Sequence, residues 1–309
     1  MTVLPRTGGR ARTALRLLPR YGRHLLFHPY RTGLAPAVGG RGWEIAAYDL
    51  FLDLLLSGFV EITGRPVRRG TAQLLILVNR IAFLMDDEFE RRVGKESVDF
   101  DDLAAATDVE RAVADMRTYL GATCDPARRD LIRQALRRTV DTEYRRYATS
   151  VENRRAAPSV DEILEDAAVD CGAVMRQLAE ITGLFQGAAA PETALDDFYA
   201  LGLACRFADD LRDWRHDSEK GTGNILLSIL ARYPKESLQL TRAQLSGTRM
   251  NEKSWHRLCP EGFAEFTHLY EEHYARIRTK NLRIAADLMM ETGRNGHHAK
   301  TDGLTAART

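Results

Sequence analysis

Aspartates stand at positions 209, 213 and 217, inside a stretch, RFADDLRDWRHDSEK (206–220), that no proline or glycine interrupts. In a helix each step of four residues turns the chain by only about 40°. The three carboxylates therefore share one stripe, spread over roughly 80°. Like charges at this spacing destabilise a helix by roughly a few tenths of a kcal/mol per pair. Something must offset the repulsion. A divalent cation with a taste for hard oxygen ligands would do so, and Mg²⁺ takes one or two carboxylates while sharing its shell with water and phosphate. The neighbouring Arg206, Arg212, Arg215 and Lys220 offer a second solution, a salt-bridged solvated face.

A second acidic cluster closes the segment IAFLMDDEFE (81–90). Asp86 and Glu90 are four apart and Asp87 and Glu90 three apart, so a helix points all three one way. The preceding residues 72–85 are apolar apart from Gln73, Asn79 and Arg80. Such a run reads as a helix buried on most sides. Acids that end it face an interior cleft, where an unpaired carboxylate is costly. Two inward acidic patches on separate helices predict metal ions held between them, against a diphosphate.

Asp86-Asp87-x-x-Glu90 resembles the aspartate-rich first motif of class I terpenoid synthases. Asp209-x-x-x-Asp213-x-x-x-Asp217 is similar to their second metal motif, in the all-Asp form more typical of squalene and phytoene synthase-like enzymes. Between the two, PSVDEILEDAAVDCGAV (158–174) resembles the helix that breaks at a glycine in bacterial terpene cyclases, with Gly172 as the matching glycine. The arginine that cyclases carry just before this glycine is absent: Ala167 and Ala168 stand there, and Arg176 follows the break. The resemblance spans roughly residues 75–235.

It implies an all-α bundle of class I terpenoid synthase type around a central active-site cavity. It also implies Mg²⁺-dependent ionisation of a linear isoprenyl diphosphate. Asp86, Asp87, Glu90, Asp209, Asp210, Asp213 and Asp217 would hold three Mg²⁺ ions. Gly172 would mark the break that exposes carbonyl oxygens to the substrate. Arg176, Arg212, Lys220, Arg232 and Arg276 would bind diphosphate. Of these, Arg276 follows Tyr274 in the order Tyr-Ala-Arg, a loose match to an Arg-Tyr pair. Those cations suffice for one diphosphate, and a Gly-Gly-Lys segment typical of chain elongases is only faintly echoed by Gly39-Gly40-Arg41. The expectation is thus a terpene cyclase, a lyase acting on one diphosphate of C15 or longer. The alternatives are a prenyltransferase that joins two isoprenoid units and, from another class, a non-catalytic helical protein with solvated acids. Phe83, Phe89, Phe198, Tyr199, Phe207 and Trp214 lie near the motifs, either as core packing or as guides for a cation.

With 309 residues, 44% of them hydrophobic, the chain can build one large core or two small ones, and no strong linker divides it. One helical domain is expected over 43–291. A net charge of +1 argues against electrostatic binding to nucleic acid. Four cysteines without metal or disulfide spacing suggest reduced thiols and a cytoplasmic location. No apolar stretch reaches the roughly 20 clean residues of a membrane span. A homodimer is compatible with all of this.

Residues 1–42 have no acid and no lysine, but eight arginines. This basic arm is open to several readings: a transit segment, a lid over an anionic substrate, an anchor to anionic lipid or a structureless arm. Residues 292–309 are expected to form a disordered tail. Between them, helical periodicity predicts nine to eleven helices. Pro126 opens one at 126–153, a Ser159–Glu162 capping box opens the Gly172 helix, and the last runs unbroken over 261–291.

Overall fold

The computed structural model describes residues 42–92, 106–153, 158–248 and 250–294, and among them there is no strand. The basic arm and the tail lie outside this range, except that Gly42 and residues 292–294 are helical. The architecture is an all-α bundle. Helices α1 (Gly42–Thr63) and α2 (Thr71–Arg92) come first, then α3 (Thr107–Thr123) and α4 (Pro126–Asn153). Helix α5 (Val160–Ala167) runs through a π-helical turn (Ala168–Ala173) into α6 (Val174–Gln186). The long α7 (Glu192–Lys220) follows, then α8 (Ile225–Leu230), α9 (Pro234–Leu245), α10 (Glu252–Leu258), α11 (Pro260–Ala275) and α12 (Lys280–Arg294).

Local chemistry sets most of these boundaries. The Ser159 backbone N–H donates to the Glu162 carboxylate at 2.7 Å, and the Glu162 N–H donates to Ser159 Oγ, which completes the capping box of α5. Gly187 and Gly221 end α6 and α7 with φ of 87° and 68°, where a side chain would be strained. Helix α7 is the axis of the bundle. It packs against α1, α5, the π turn, α6, α8, α11 and α12. That is why Ala194, Phe198, Leu201, Ala204, Phe207, Leu211 and Trp214 are all buried along it. An aromatic chain, Trp214, Trp255, Phe263, Phe266 and Phe207, fastens α7 to α10 and α11, with successive ring centroids 5.4–6.3 Å apart.

The last helix is not continuous. It stops at Ala275 and restarts at Lys280, so twelve α-helices are present among the described residues. No glycine or proline marks the break in the sequence. Its cause is Asp197, 2% exposed on α7. Its carboxylate accepts from the Thr279 N–H at 2.8 Å, the Arg278 N–H at 3.2 Å and Arg278 Nε at 2.9 Å. A carboxylate that satisfies two amides at the start of α12 offsets the helical hydrogen bonds lost at the break. Asp197→Ala should therefore lower stability by about 2 kcal/mol. Thermal unfolding checks this, and limited proteolysis should find new cleavage at 276–279.

Candidate active site

The first acidic motif lies on α2, and the second lies on α7, which packs along α6 and the π turn. Arg68, just before α2, donates to the Phe185 carbonyl at 3.1 Å, and Gln186 donates to Thr71 Oγ1 at 2.9 Å. The start of α2 thus meets the end of α6. Helix α7 returns from the short 187–191 connection alongside α6 and meets the π turn at Gly202, with Asp209 beyond it. The side chains of Asp86, Asp87 and Glu90, like those of Phe83 and Phe89, lie outside the described residues.

At Gly172, where a helix break is expected, the chain stays helical and widens into the π turn. A π turn inside an α-helix is rare and is found mostly at functional sites. Here two glycines allow α7 to approach it. A Cβ on Gly202 would stand 2.2 Å from the Cys171 carbonyl oxygen, and one on Gly172 would stand 2.6 Å from the Tyr199 ring.

Next to this contact lies the aspartate stripe. Asp209 keeps 47% of its side chain exposed and Asp213 36%. Arg212 lies between them. Its Nη2 donates to Asp209 Oδ1 and, at 2.6 Å, to Asp213 Oδ2, and its Nε donates to Asp213 Oδ1 at 3.0 Å. The salt-bridged reading is therefore realised in part. One guanidinium against three carboxylates still leaves the stripe negative.

Asp209 is both open and desolvated. Burial is the largest influence on it and raises its pKa, with Arg212 pulling the other way. Cys205, half-buried on α7, is pushed up to about 12 by burial, and burial raises the half-buried Cys171 of the π turn still further. The negative charge of Asp209 adds to the rise at both thiols. Asp209, Cys171 and Cys205 lie close together beside the π turn. Tyr270 of α11 interacts electrostatically with Cys205, and its buried hydroxyl has no hydrogen-bond partner among the described residues.

Asp210, expected among the metal ligands, is committed elsewhere. It is 1% exposed. Its Oδ1 lies 2.7 Å from Arg206 Nε, and its Oδ2 accepts from the Ile225 N–H at 2.6 Å. Burial pushes its carboxyl up to about 7 against the pull of Arg206 and that amide, while Asp210 in turn holds the Arg206 guanidinium more firmly protonated. The step of one residue from Asp209 turns this side chain by about 100°, out of the stripe and into the core.

The expected diphosphate-binding cations are scattered. Arg176 pairs with Glu192 at 2.6 Å and Asp196 at 3.4 Å. Asp196 lies about 20 Å along α7 from Asp209. Arg232 pairs with Glu265 of α11. Arg276 is exposed at the end of α11, and Lys220 is exposed in the last turn of α7. Of the five, only Arg212 touches the stripe by a hydrogen bond described here. A cationic residue's separation in sequence says nothing of which acid will capture it first.

Sequence reasoning missed Thr222 and Asn224, which hold Asp217. Thr222 Oγ1 donates to Asp217 Oδ1 at 2.9 Å, and Asn224 Nδ2 donates to Asp217 Oδ2 at 2.7 Å. The signal was present: an asparagine directly before the apolar run ILLSIL is a helix N-cap.

The donor set fits Mg²⁺. It consists of hard carboxylate oxygens, partly exposed, on a stripe that is negative overall. Among the described residues no three His, Cys, Asp or Glu side chains gather closely enough to enclose a metal ion. Mg²⁺ does not need enclosure, since water and substrate phosphate complete its shell. Asp209, Asp213 and Asp217 would hold it. Among the described residues, no helix is long and apolar enough to cross a membrane.

No family model matches the chain, and no curated protein sequence matches it. Solved structures do. The chain is similar to the geranylgeranyl pyrophosphate synthetase of Pyrococcus horikoshii Ot3, with 14% identity, 90% of each chain covered and a TM-score of 0.54. A second match is the 2-methylisoborneol synthase of Streptomyces coelicolor A3(2), with 13% identity, 96% of this chain and 92% of that chain covered and a TM-score of 0.44. At such identities the likeness is one of fold: the all-α bundle of this chain resembles that of the geranylgeranyl pyrophosphate synthetase.

Proposed function

We propose that the protein is a Mg²⁺-dependent enzyme acting on isoprenyl diphosphates, and that it joins two isoprenoid units rather than cyclising one. One observation carries the first half. The partly exposed aspartate stripe lies on the central helix next to a π turn, in a bundle whose fold is like that of a geranylgeranyl pyrophosphate synthetase. When bound, Mg²⁺ supplies Lewis-acid stabilisation to a departing diphosphate. The chain's own part is to hold the carboxylates in place and to keep water from a cation formed beside them. Joining breaks the C1–O bond of an allylic diphosphate, whose electron pair leaves with the diphosphate. The double bond of the second unit then supplies the electrons for the new C–C bond, and one proton is released.

The second half replaces the cyclase expectation. That expectation rested on a single set of cations near the motifs. Arg176 and Arg232 are held by other acids instead, so the count that favoured one diphosphate no longer supports a choice. The likeness to a geranylgeranyl pyrophosphate synthetase supports joining. The test is incubation with Mg²⁺ and an allylic diphosphate, first alone and then with isopentenyl diphosphate. Products of increased or doubled carbon number are expected. A product of unchanged carbon number from the first incubation would show a cyclase. No product, and no thermal stabilisation by Mg²⁺ with inorganic pyrophosphate, would leave the non-catalytic reading.

Asp213 is the sharpest probe of the site. It is the middle acid of the stripe and 36% exposed, and its described hydrogen bonds are both to Arg212. Asp213→Ala should abolish turnover while leaving the melting temperature unchanged or slightly higher, because it relieves repulsion. Near-wild-type turnover at low Mg²⁺ would remove the stripe from the mechanism.

A further inference from the structure

Asn224 is 2% exposed, and every hydrogen-bonding group of its side chain is used. Oδ1 accepts from the Leu227 N–H at 3.1 Å and so caps α8. Nδ2 donates to the Asp210 carbonyl at 2.8 Å and to Asp217 Oδ2 at 2.7 Å. The orientation of the amide is unambiguous. Turned over, it would set its oxygen against a carboxylate and a carbonyl, and its nitrogen against an N–H. Asp217 is thus gripped on Oδ2 by Asn224 and on Oδ1 by Thr222, both uncharged donors. Each carboxylate oxygen has two lone pairs, so one on each remains. Asp213 contrasts with this, since its hydrogen bonds come from the guanidinium of Arg212.

A cation beside a carboxylate neutralises it, whereas an amide orients it and leaves its charge. We propose that Asn224 is the positioning residue of Asp217: it aims the carboxylate at a divalent cation while capping α8. This rests on the function proposed above. The mechanism is the one by which hydrogen-bonded partners of metal ligands fix ligand geometry, and removing such a partner typically costs about 10–100-fold in metal affinity.

Asn224→Ser separates the two roles. Serine caps a helix nearly as well as asparagine, but it is too short to reach both Leu227 and Asp217. Asn251→Ser is the matched control. Asn251 caps α10 in the same way, accepting from the Ser254 N–H at 3.0 Å, and the described hydrogen bonds of its side chain involve no acid. Thermal unfolding is followed in purified full-length protein as MgCl₂ is titrated at fixed inorganic pyrophosphate. Both variants should lose a few degrees at most. Only Asn224→Ser should raise the Mg²⁺ midpoint, by about tenfold or more. Should Asn224→Ser fail to fold, Thr222→Val removes only the donor to Oδ1 and should raise the midpoint about threefold. An Asn224→Ser midpoint within twofold of Asn251→Ser would overturn the positioning role, as would an unchanged midpoint for Thr222→Val in its place. A wild-type protein with no Mg²⁺-dependent stabilisation would overturn the proposed function, and this assignment with it.

Discussion

Gly202→Ala is expected to destabilise the protein by at least about 3 kcal/mol, at the upper end for overpacking. The added methyl would lie 2.2 Å from the Cys171 carbonyl oxygen, 2.7 Å from its carbon and 2.9 Å from Gly172 Cα. All three are backbone atoms of a turn already wound wider than an α-helix, so no rotamer change relieves the clash. Either α7 or the π turn must move, and α7 carries the aspartate stripe. Gly172→Ala makes a useful comparison. Its methyl meets the ring of Tyr199, which is half-buried and able to swing. Its effect should be nearer 1 kcal/mol. Chemical denaturation of the two variants measures the difference. Equal effects would mean that the π turn yields easily and that close approach to α7 is not what fixes it.

Asp210→Ala is expected to be equally damaging, and for a different reason. Asp210 is buried beside Arg206, itself only 21% exposed, and it caps α8 through the Ile225 N–H. Removing one member of a buried pair strands the other charge, which costs about 3–5 kcal/mol. The capped amide loses its acceptor as well. The Arg206 guanidinium also donates to the Gly223 carbonyl at 2.8 Å, so its displacement would free the loop that holds Asn224. The prediction is a large fall in unfolding free energy for Asp210→Ala beside none for Asp213→Ala. A fall below about 1 kcal/mol would mean that the buried pair is dispensable. Aspartates three positions apart on one helix would then have exchanged the roles described above.

Much of this architecture is legible in the chain, because the signals are local. The Ser159 capping box, Pro126 and the glycines after α6 and α7 act within a few residues of themselves. The aspartate stripe is likewise a matter of spacing on one helix. The break before α12 is not legible, since its cause is Asp197, some 80 positions upstream. The burial of Asp210 is not legible, because its sequence context matches that of Asp209 and the packing of α8 distinguishes them. The partners of Arg176 and Arg232 are not legible for a related reason. A cation near a motif in sequence is free to find an acid on another helix, and Glu192 and Glu265 are not predictable partners.

Helix α12 lies between α7 and α1, and Glu61 of α1 accepts from the Lys280 N–H at 3.1 Å and from Asn281 Nδ2 at 2.7 Å. These partners are separated by about 220 positions. During synthesis, the apolar groove that will receive α12 is therefore made early and filled last. Until α12 has emerged from the ribosome, Gly58 of α1 and Ala208 of the central helix lack their partners Leu282 and Gly293. A chaperone has a long interval in which to bind there, and premature termination before α12 should yield an aggregating chain rather than a shortened folded protein.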